Sequence, residues 1–231
     1  KEHNLFYEKI FISKSTMFNI FNQTINQSEC ERWDIERKIR LSASVKAHKI
    51  KICKSWTDTG LKHLANKLLK ENKLGKTGNL NVNYGKKTEV LAIEYFKILT
   101  GKDIIKCGLI FDIIRPWVCA SPDGIILDKF ENIQEVLEVK CPISCENKPI
   151  VDGDKINLKY LEYDLCGKIA LKKNSMYYTQ CQILIHCTGV ESCTFLVYNT
   201  IEPVIIKIER DQTFIRSLLE KMTYFYFNYY L

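Results

Sequence analysis

The chain of 231 residues is 46% hydrophobic and 26% charged, with only 10 glycines and 5 prolines. That balance excludes a disordered or collagen-like polymer and supports a full core without metal or disulfide staples. The net charge of +7 is uneven, because residues 1–80 carry 16 Lys/Arg against 8 Asp/Glu while residues 81–231 carry 18 against 19.

The elements follow in chain order. Leu5 to Phe21 has apolar clusters without a clean helical period. Ser28 reads as the cap of a helix through Glu31, Trp33, Ile35 and Ile39, and Ser42 or Ser44 as the start of a short helix to Ile52. Thr57 or Asp58 caps a helix whose apolar face is Leu61, Leu64, Ala65, Leu68 and Leu69. Gly75 to Tyr84, rich in Gly and Asn, reads as a loop. A buried helix from Glu89 to Ile98 ends at Gly101, and strands are expected at Cys107–Ile114, Trp117–Ala120, Gly124–Leu127 and Ile133–Cys141, the last stopped by Pro142. After a polar excursion come a helix from Tyr177 to Cys187, strands at Cys193–Tyr198 and Val204–Ile208, and a last helix capped by Asp211. The expected fold class is α/β, in the α+β sense of a mixed sheet with helices against it. One domain spanning residues 1–231 is expected, its first 80 residues a helical basic region and residues 84–231 the sheet core.

Neither a bilayer-spanning stretch nor a charged prefix leading into an apolar signal segment is found, so no membrane association is expected. The first residue is Lys1, which leaves a preceding address segment open. Ten cysteines lie mostly within apolar runs, as small buried hydrophobes do, and imply an intracellular, reducing compartment, the nucleus included for a eukaryotic or nuclear-virus protein. A structural zinc site competes for Cys141 and Cys145, but no second close pair accompanies them. From Lys38 to Lys76 the chain has 11 basic residues and only Asp58 and Glu71 as acids, enough for a phosphate-backbone track, although an ordinary solvated helix face has the same composition.

Chemistry concentrates in Ser121-Pro122-Asp123-Gly124 and Glu138-Val139-Lys140. On a strand, Glu138 and Lys140 share one face while Leu137, Val139 and Cys141 share the other. With Asp123 ending the adjacent strand, two carboxylates meet and offer hard oxygen ligands for Mg²⁺, with Mn²⁺ as a substitute. Phosphodiester hydrolysis needs these pieces, because charge accumulates on the phosphorus oxygens and Lys140 can orient water and stabilise that charge. A surface hairpin with an ordinary Glu/Lys pair satisfies the same spacing. Glu89, at the start of an apolar helix, is either a further site carboxylate or a group favoured by the helix dipole. Gln180 and Gln182 cannot share a helix face, so at most one points into a site.

In order along the chain, Trp33 and Arg37, Arg40-Leu41-Ser42-Ala43-Ser44, Gly85-Lys86-x-x-Glu89, Ser121-Pro122-Asp123-Gly124, Leu137 to Pro142 and Tyr177 to Gln182 resemble the lambda-exonuclease-type, or YqaJ viral recombinase, branch of the PD-(D/E)xK nucleases. The resemblance runs from Trp33 to about Leu231, with Ser42 where Thr is commoner. It implies a restriction-endonuclease-like core with N-terminal helices. Asp123 and Glu138 are then metal ligands assisted by the Val139 carbonyl and Glu89, Lys140 is the catalytic lysine, and Gln180 is the site amide. Arg37 and Ser44, with Arg40 nearby, would hold a terminal phosphate of DNA.

The expected function is a metal-dependent exonuclease that digests duplex DNA from 5′ ends to 5′-phosphorylated nucleotides during recombination or mobile-element processing. A structure-selective or nonspecific endonuclease and a catalytically silent DNA-binding module are the alternatives. Double-stranded DNA is the expected partner; a single-strand annealing protein and a homo-oligomer stay open. The aromatic run Tyr224 to Tyr230 is expected to pack on the core, with a subunit contact or a DNA-stacking surface as the other readings.

Overall fold

A computed structural model describes residues 6–70 and 76–231. A π-helical turn at Phe6–Ile10 leads to α1 (Lys14–Gln23), a 3₁₀ turn at Gln27–Glu29, α2 (Glu31–Lys38), β1 (Leu41–Ser42), α3 (Lys46–Lys51), α4 (Asp58–Leu69) and α5 (Lys76–Thr100). Then come β2 (Ile104–Ile105), β3 (Ile110–Phe111), β4 (Val118–Ala120), β5 (Gly124–Leu127) and β6 (Ile133–Lys140). Two small hairpins follow, β7 (Val151–Asp152) with β8 (Lys155–Ile156) and β9 (Leu161–Tyr163) with β10 (Ile169–Leu171). The chain continues through α6 (Met176–Thr188), β11 (Ser192–Val197), β12 (Val204–Glu209) and α7 (Gln212–Phe225), before a π-helical end at Tyr226–Tyr230.

The main sheet has the order β12-β11-β6-β5-β2, with β6 and β11 parallel and the other pairs antiparallel. A second sheet, β1-β4-β3, brings the N-terminal chain onto the core through the parallel pair Leu41↔Val118 and Ser42↔Cys119. Helices cover both faces of the main sheet. On one, Leu137 and Val139 of β6 pack with Leu196, Ile126, Ala92 and Phe96, the last two from α5. On the other, Val136, Cys193, Phe195 and Val197 pack with Cys181, Ile183 and Leu184 of α6. Each such fully buried side chain contributes about 1.5–3 kcal/mol relative to exposure. The mixed α/β fold expected from the sequence is therefore present.

Several local expectations change. Ser28 caps nothing: it lies in the 3₁₀ turn, and α2 begins after Cys30 without a side-chain cap. Ser42 is in β1 and α3 starts only at Lys46, because Leu41 and Ala43 donate their amides to the Trp117 and Cys119 carbonyls and so pair as a strand. The loop expected at Gly75 to Tyr84 is helix from Lys76 onward, while Gly75 lies outside the described residues. The helix expected to be buried from Glu89 to Ile98 buries only Ala92 and Phe96 in that stretch, while Val90, Leu91 and Ile98 are exposed, because one stripe of α5 meets the sheet. Once those contacts hold α5, each added residue gains a hydrogen bond, and this overrides the weak propensities of Gly and Asn. The strand expected over Cys107–Ile114 shrinks to Ile110–Phe111. Gly108 there lies against the end of α1, where a Cβ would stand 1.9 Å from the Phe21 carbonyl oxygen. The caps at Thr57, which accepts from Gly60, and Asp211, which accepts from Phe214, form as expected.

Candidate active site

Asp123 donates its amide to the Leu137 carbonyl at 3.0 Å, one step beyond the Gly124↔Leu137 pair. That register sets Asp123 beside Glu138, as opposed residues of antiparallel strands share a face. The Asp123 Oδ2 accepts from the Val139 amide at 2.7 Å. Glu138 is 1% exposed, and its Oε1 accepts from Gln180 Nε2 at 2.7 Å and from the Lys140 ammonium. Lys140 also donates to the Val139 carbonyl at 3.0 Å, and its Nζ lies 5.4 Å from the centre of the Tyr177 ring. The Glu138 Oε2 is buried without a hydrogen-bond partner. The Gln180 side chain therefore points into the cluster. Gln182 turns away, donating to the Glu209 carbonyl at 2.8 Å and accepting from the Asp211 amide at 2.8 Å.

Burial, then the negative charge of Asp123, pushes Glu138 up to about 8 and Glu89 up to about 7; burial also raises Asp123. Burial alone would lower Lys140, but Glu138 and Asp123 outweigh it and hold the ammonium above the usual lysine range. Glu89 stands between two openings. One cavity of about 570 Å³ is lined by Glu89, Lys140, the Val139 region, Tyr160 and Tyr177, and a smaller one of about 210 Å³ by Glu89, Lys86, Lys106 and Asp123.

The available donors are oxygens, two carboxylates and the Val139 carbonyl, a set that suits Mg²⁺ or Mn²⁺ better than zinc. The unpartnered Glu138 Oε2 and the raised carboxylates fit a cation at this point. Among the described residues no three His, Cys, Asp or Glu side chains converge on one metal-sized point, so a metal here needs the carbonyl and water to complete its shell.

The second cluster is basic. A cavity of about 580 Å³ is lined by Arg37, Ser42, Ser44, Lys46, Lys49 and Lys70, with Asp34 at its edge. Arg37 Nη2 donates to Ser44 Oγ at 2.8 Å. Burial lowers the Arg37 pKa, opposed by Cys119, Asp34 and Glu138, so the two clusters lie within electrostatic reach.

Arg40 differs from expectation. It is fully buried, donating to the carbonyls of Pro116 at 2.8 Å, Glu36 at 3.3 Å and Lys9 at 2.7 Å and to the Glu36 carboxylate. It braces α2 and does not line the cavity.

Lys46 was not singled out by the sequence, and burial lowers it to about 8. Its ammonium donates to the carbonyls of Arg37 at 2.6 Å, Lys38 at 3.1 Å and Arg40 at 2.8 Å, and to Tyr230 Oη at 2.5 Å. Tyr230 Oη donates to the Lys38 carbonyl at 2.6 Å and Tyr226 Oη to the Ile39 carbonyl at 2.9 Å. The C-terminal aromatic run thus packs on the core and closes the carbonyl end of α2, while Tyr224 and Phe227 stay exposed. Tyr177 opens the family-like run Tyr177 to Gln182, but the sequence assigns it no role; its spacing from Gln180 puts both on one helix face. Nothing local marks Lys46 among its basic neighbours.

Residues 32–191 match the YqaJ-like viral recombinase domain. The chain belongs to this family. Solved structures share the fold of this YqaJ-like chain. They include the alkaline exonuclease LHK-Exo of Laribacter hongkongensis in complex with dAMP (21% identity, TM-score 0.60, 84% of this chain and 90% of that one). A phage related exonuclease from Haemophilus somnus 129PT (14%, 0.55, 84% and 96%) and a SOX–DNA complex (12%, 0.58, 96% and 77%) are also similar. At these identities the likeness is one of fold. No curated protein matches the YqaJ-like chain.

Proposed function

We propose that this YqaJ-like chain is a metal-dependent deoxyribonuclease that digests duplex DNA from 5′ ends and releases 5′-phosphorylated nucleotides. The observation that carries this reading is the buried, unpartnered Glu138 Oε2 in a cluster with Asp123, Lys140 and Gln180. Family membership and the exonuclease fold support it.

Asp123 and Glu138, with the Val139 carbonyl, would hold Mg²⁺ or Mn²⁺, which when bound supplies positive charge against the phosphorus oxygens and the leaving group. Glu89, facing the same space, assists from the helix side. Lys140, kept as an ammonium by its acidic neighbours, orients the attacking water and neutralises developing charge; it is not suited to act as the base. Gln180 fixes the Glu138 carboxylate so that Oε2 stays presented. Arg37 and Ser44 hold the terminal phosphate, a guanidinium giving directed donors and a hydroxyl setting orientation. Such a grip sets the end at a fixed distance from the metals and favours stepwise cleavage.

End-labelled linear duplex and covalently closed circular duplex, each incubated with Mg²⁺, test the reading. Release of labelled mononucleotide from the 5′ end with the circle intact is the expected result. Internal fragments or a linearised circle would make the protein an endonuclease, and no cleavage of either would make it a binding module.

A further inference from the structure

We propose that Trp33 is a positioning residue that registers the basic pocket against the Asp123 turn, so that a terminal phosphate held at Arg37 fixes the site of cleavage. The inference rests on the nuclease reading above and adds a physical link between its two halves. The Arg37 guanidinium carbon lies 3.7 Å from the centre of the Trp33 ring, close enough for a cation–π contact that sets its direction while Nη2 reaches Ser44. From its edge, Trp33 Nε1 donates to Ser121 Oγ at 2.8 Å. Ser121 is two residues before Asp123.

The same turn is held from its other side by Gln27, whose Nε2 donates to the Pro122 carbonyl at 2.8 Å and the Cys107 carbonyl at 3.2 Å. Gln27 keeps φ at 46°, a conformation costly for a residue with a side chain and maintained only where the surroundings impose it. Gln27 holds the turn and Cys107 but does not line the basic pocket, whereas Trp33 touches both the turn and Arg37 of the pocket. An indole has two side-chain torsions and a rigid plane, so displacement of one edge is passed to the other. Trp33 also packs against the buried group of Ile20, Leu109, Phe111 and Cys119, which steadies the ring.

The test compares initial rates on matched duplexes with 5′-phosphate and 5′-hydroxyl ends for the parental protein, Trp33→Phe, Ser121→Ala and the double variant. Trp33→Phe keeps a ring under Arg37 and removes the donor to Ser121. The kcat on phosphorylated duplex should fall roughly tenfold and much less on hydroxyl duplex, while the KM advantage of the phosphate persists. The double variant should be no worse than Trp33→Phe, since both changes break one bond. Equal losses on the two duplexes, additive losses in the double variant, or unchanged kcat would each overturn the positioning role. Ser121→Ala carries the test if Trp33→Phe lowers the melting temperature. A parental protein without any 5′-phosphate preference would instead overturn the phosphate pocket itself, and the link with it.

Discussion

The acidic centre and the basic pocket are built by opposite means. Glu138 and Lys140 stand on the central strand of a five-stranded sheet, and Asp123 immediately precedes the neighbouring strand with its amide bonded to the Leu137 carbonyl. Arg37 and Ser44 stand at the end of a short helix and just past a two-residue strand; Arg37 bonds Ser44, Lys46 bonds the Arg37 carbonyl, and the distant Tyr230 bonds the neighbouring Lys38 carbonyl and Lys46. On the proposed reading the acidic groups must break a bond and tolerate little misplacement, so a sheet suits them. The basic pocket then needs registration only where it meets the acidic centre, which the Trp33 contacts to Arg37 and Ser121 supply.

Removing charge from the acidic centre should have the largest effect. Asp123→Ala or Glu138→Ala is expected to lower cleavage by roughly 1,000-fold or more while DNA binding in Ca²⁺ persists, and Lys140→Ala to lower kcat by roughly 100-fold. Single-turnover cleavage and a binding isotherm on the same preparations decide it; parental cleavage in a folded Asp123→Ala protein would remove the assignment.

A change in the basic pocket should act on substrate choice. Arg37→Ala is expected to reduce the preference for 5′-phosphorylated over 5′-hydroxyl duplex by roughly 10-fold or more, and Ser44→Ala by a few-fold, because a hydrogen bond from a charged donor is about twice as strong as a neutral one. Undiminished preference in both would leave the pocket without a role.

The acidic centre should also make stability pH-dependent without metal. Glu138 and Glu89 titrate near 8 and 7 in the folded chain, above the carboxylate range of the unfolded one. The folded state therefore binds more protons between the ordinary carboxylate value of 4.5 and these raised values, so stability falls as pH rises from 4.5 and levels off once Glu89 and Glu138 have ionised, near 7 and 8. In EDTA the melting temperature should fall over that window, and Glu138→Gln should flatten the fall. A metal-free protein that gains stability there would contradict the electrostatics.

The smallest effect is expected from Tyr230→Phe, which removes the bond to the Lys38 carbonyl and one of the four acceptors of the Lys46 ammonium. About 0.5–1.5 kcal/mol of stability should be lost, measured by denaturant unfolding, with kcat on 5′-hydroxyl duplex nearly unchanged.

The same contrast governs what the sequence disclosed. Strand alternation puts Glu138 and Lys140 on one face and Leu137 and Val139 on the other, so β5, β6 and α6 were legible from spacing, whereas spacing left Gln180 and Gln182 open and only the family resemblance favoured Gln180. The pocket was not. Arg40 and Arg37 are equally basic in sequence, yet one is sealed under Pro116 and Lys9 while the other opens to a cavity. Lys46, Tyr226 and Tyr230 acquire their roles through contacts between distant segments, which no local period records. The start of α5 was misread for a related reason: Gly and Asn suggest a loop, but a helix already paid for by Ala92 and Phe96 extends through them.

The carbonyls of Lys38 and Ile39 wait for hydroxyls that lie 192 and 187 residues later in the chain. During synthesis the segments bearing Asp123 and Glu138 emerge well before those tyrosines. The carbonyl end of α2, next to Arg37, is therefore closed only after the segments that build the main sheet around Glu138 have been made.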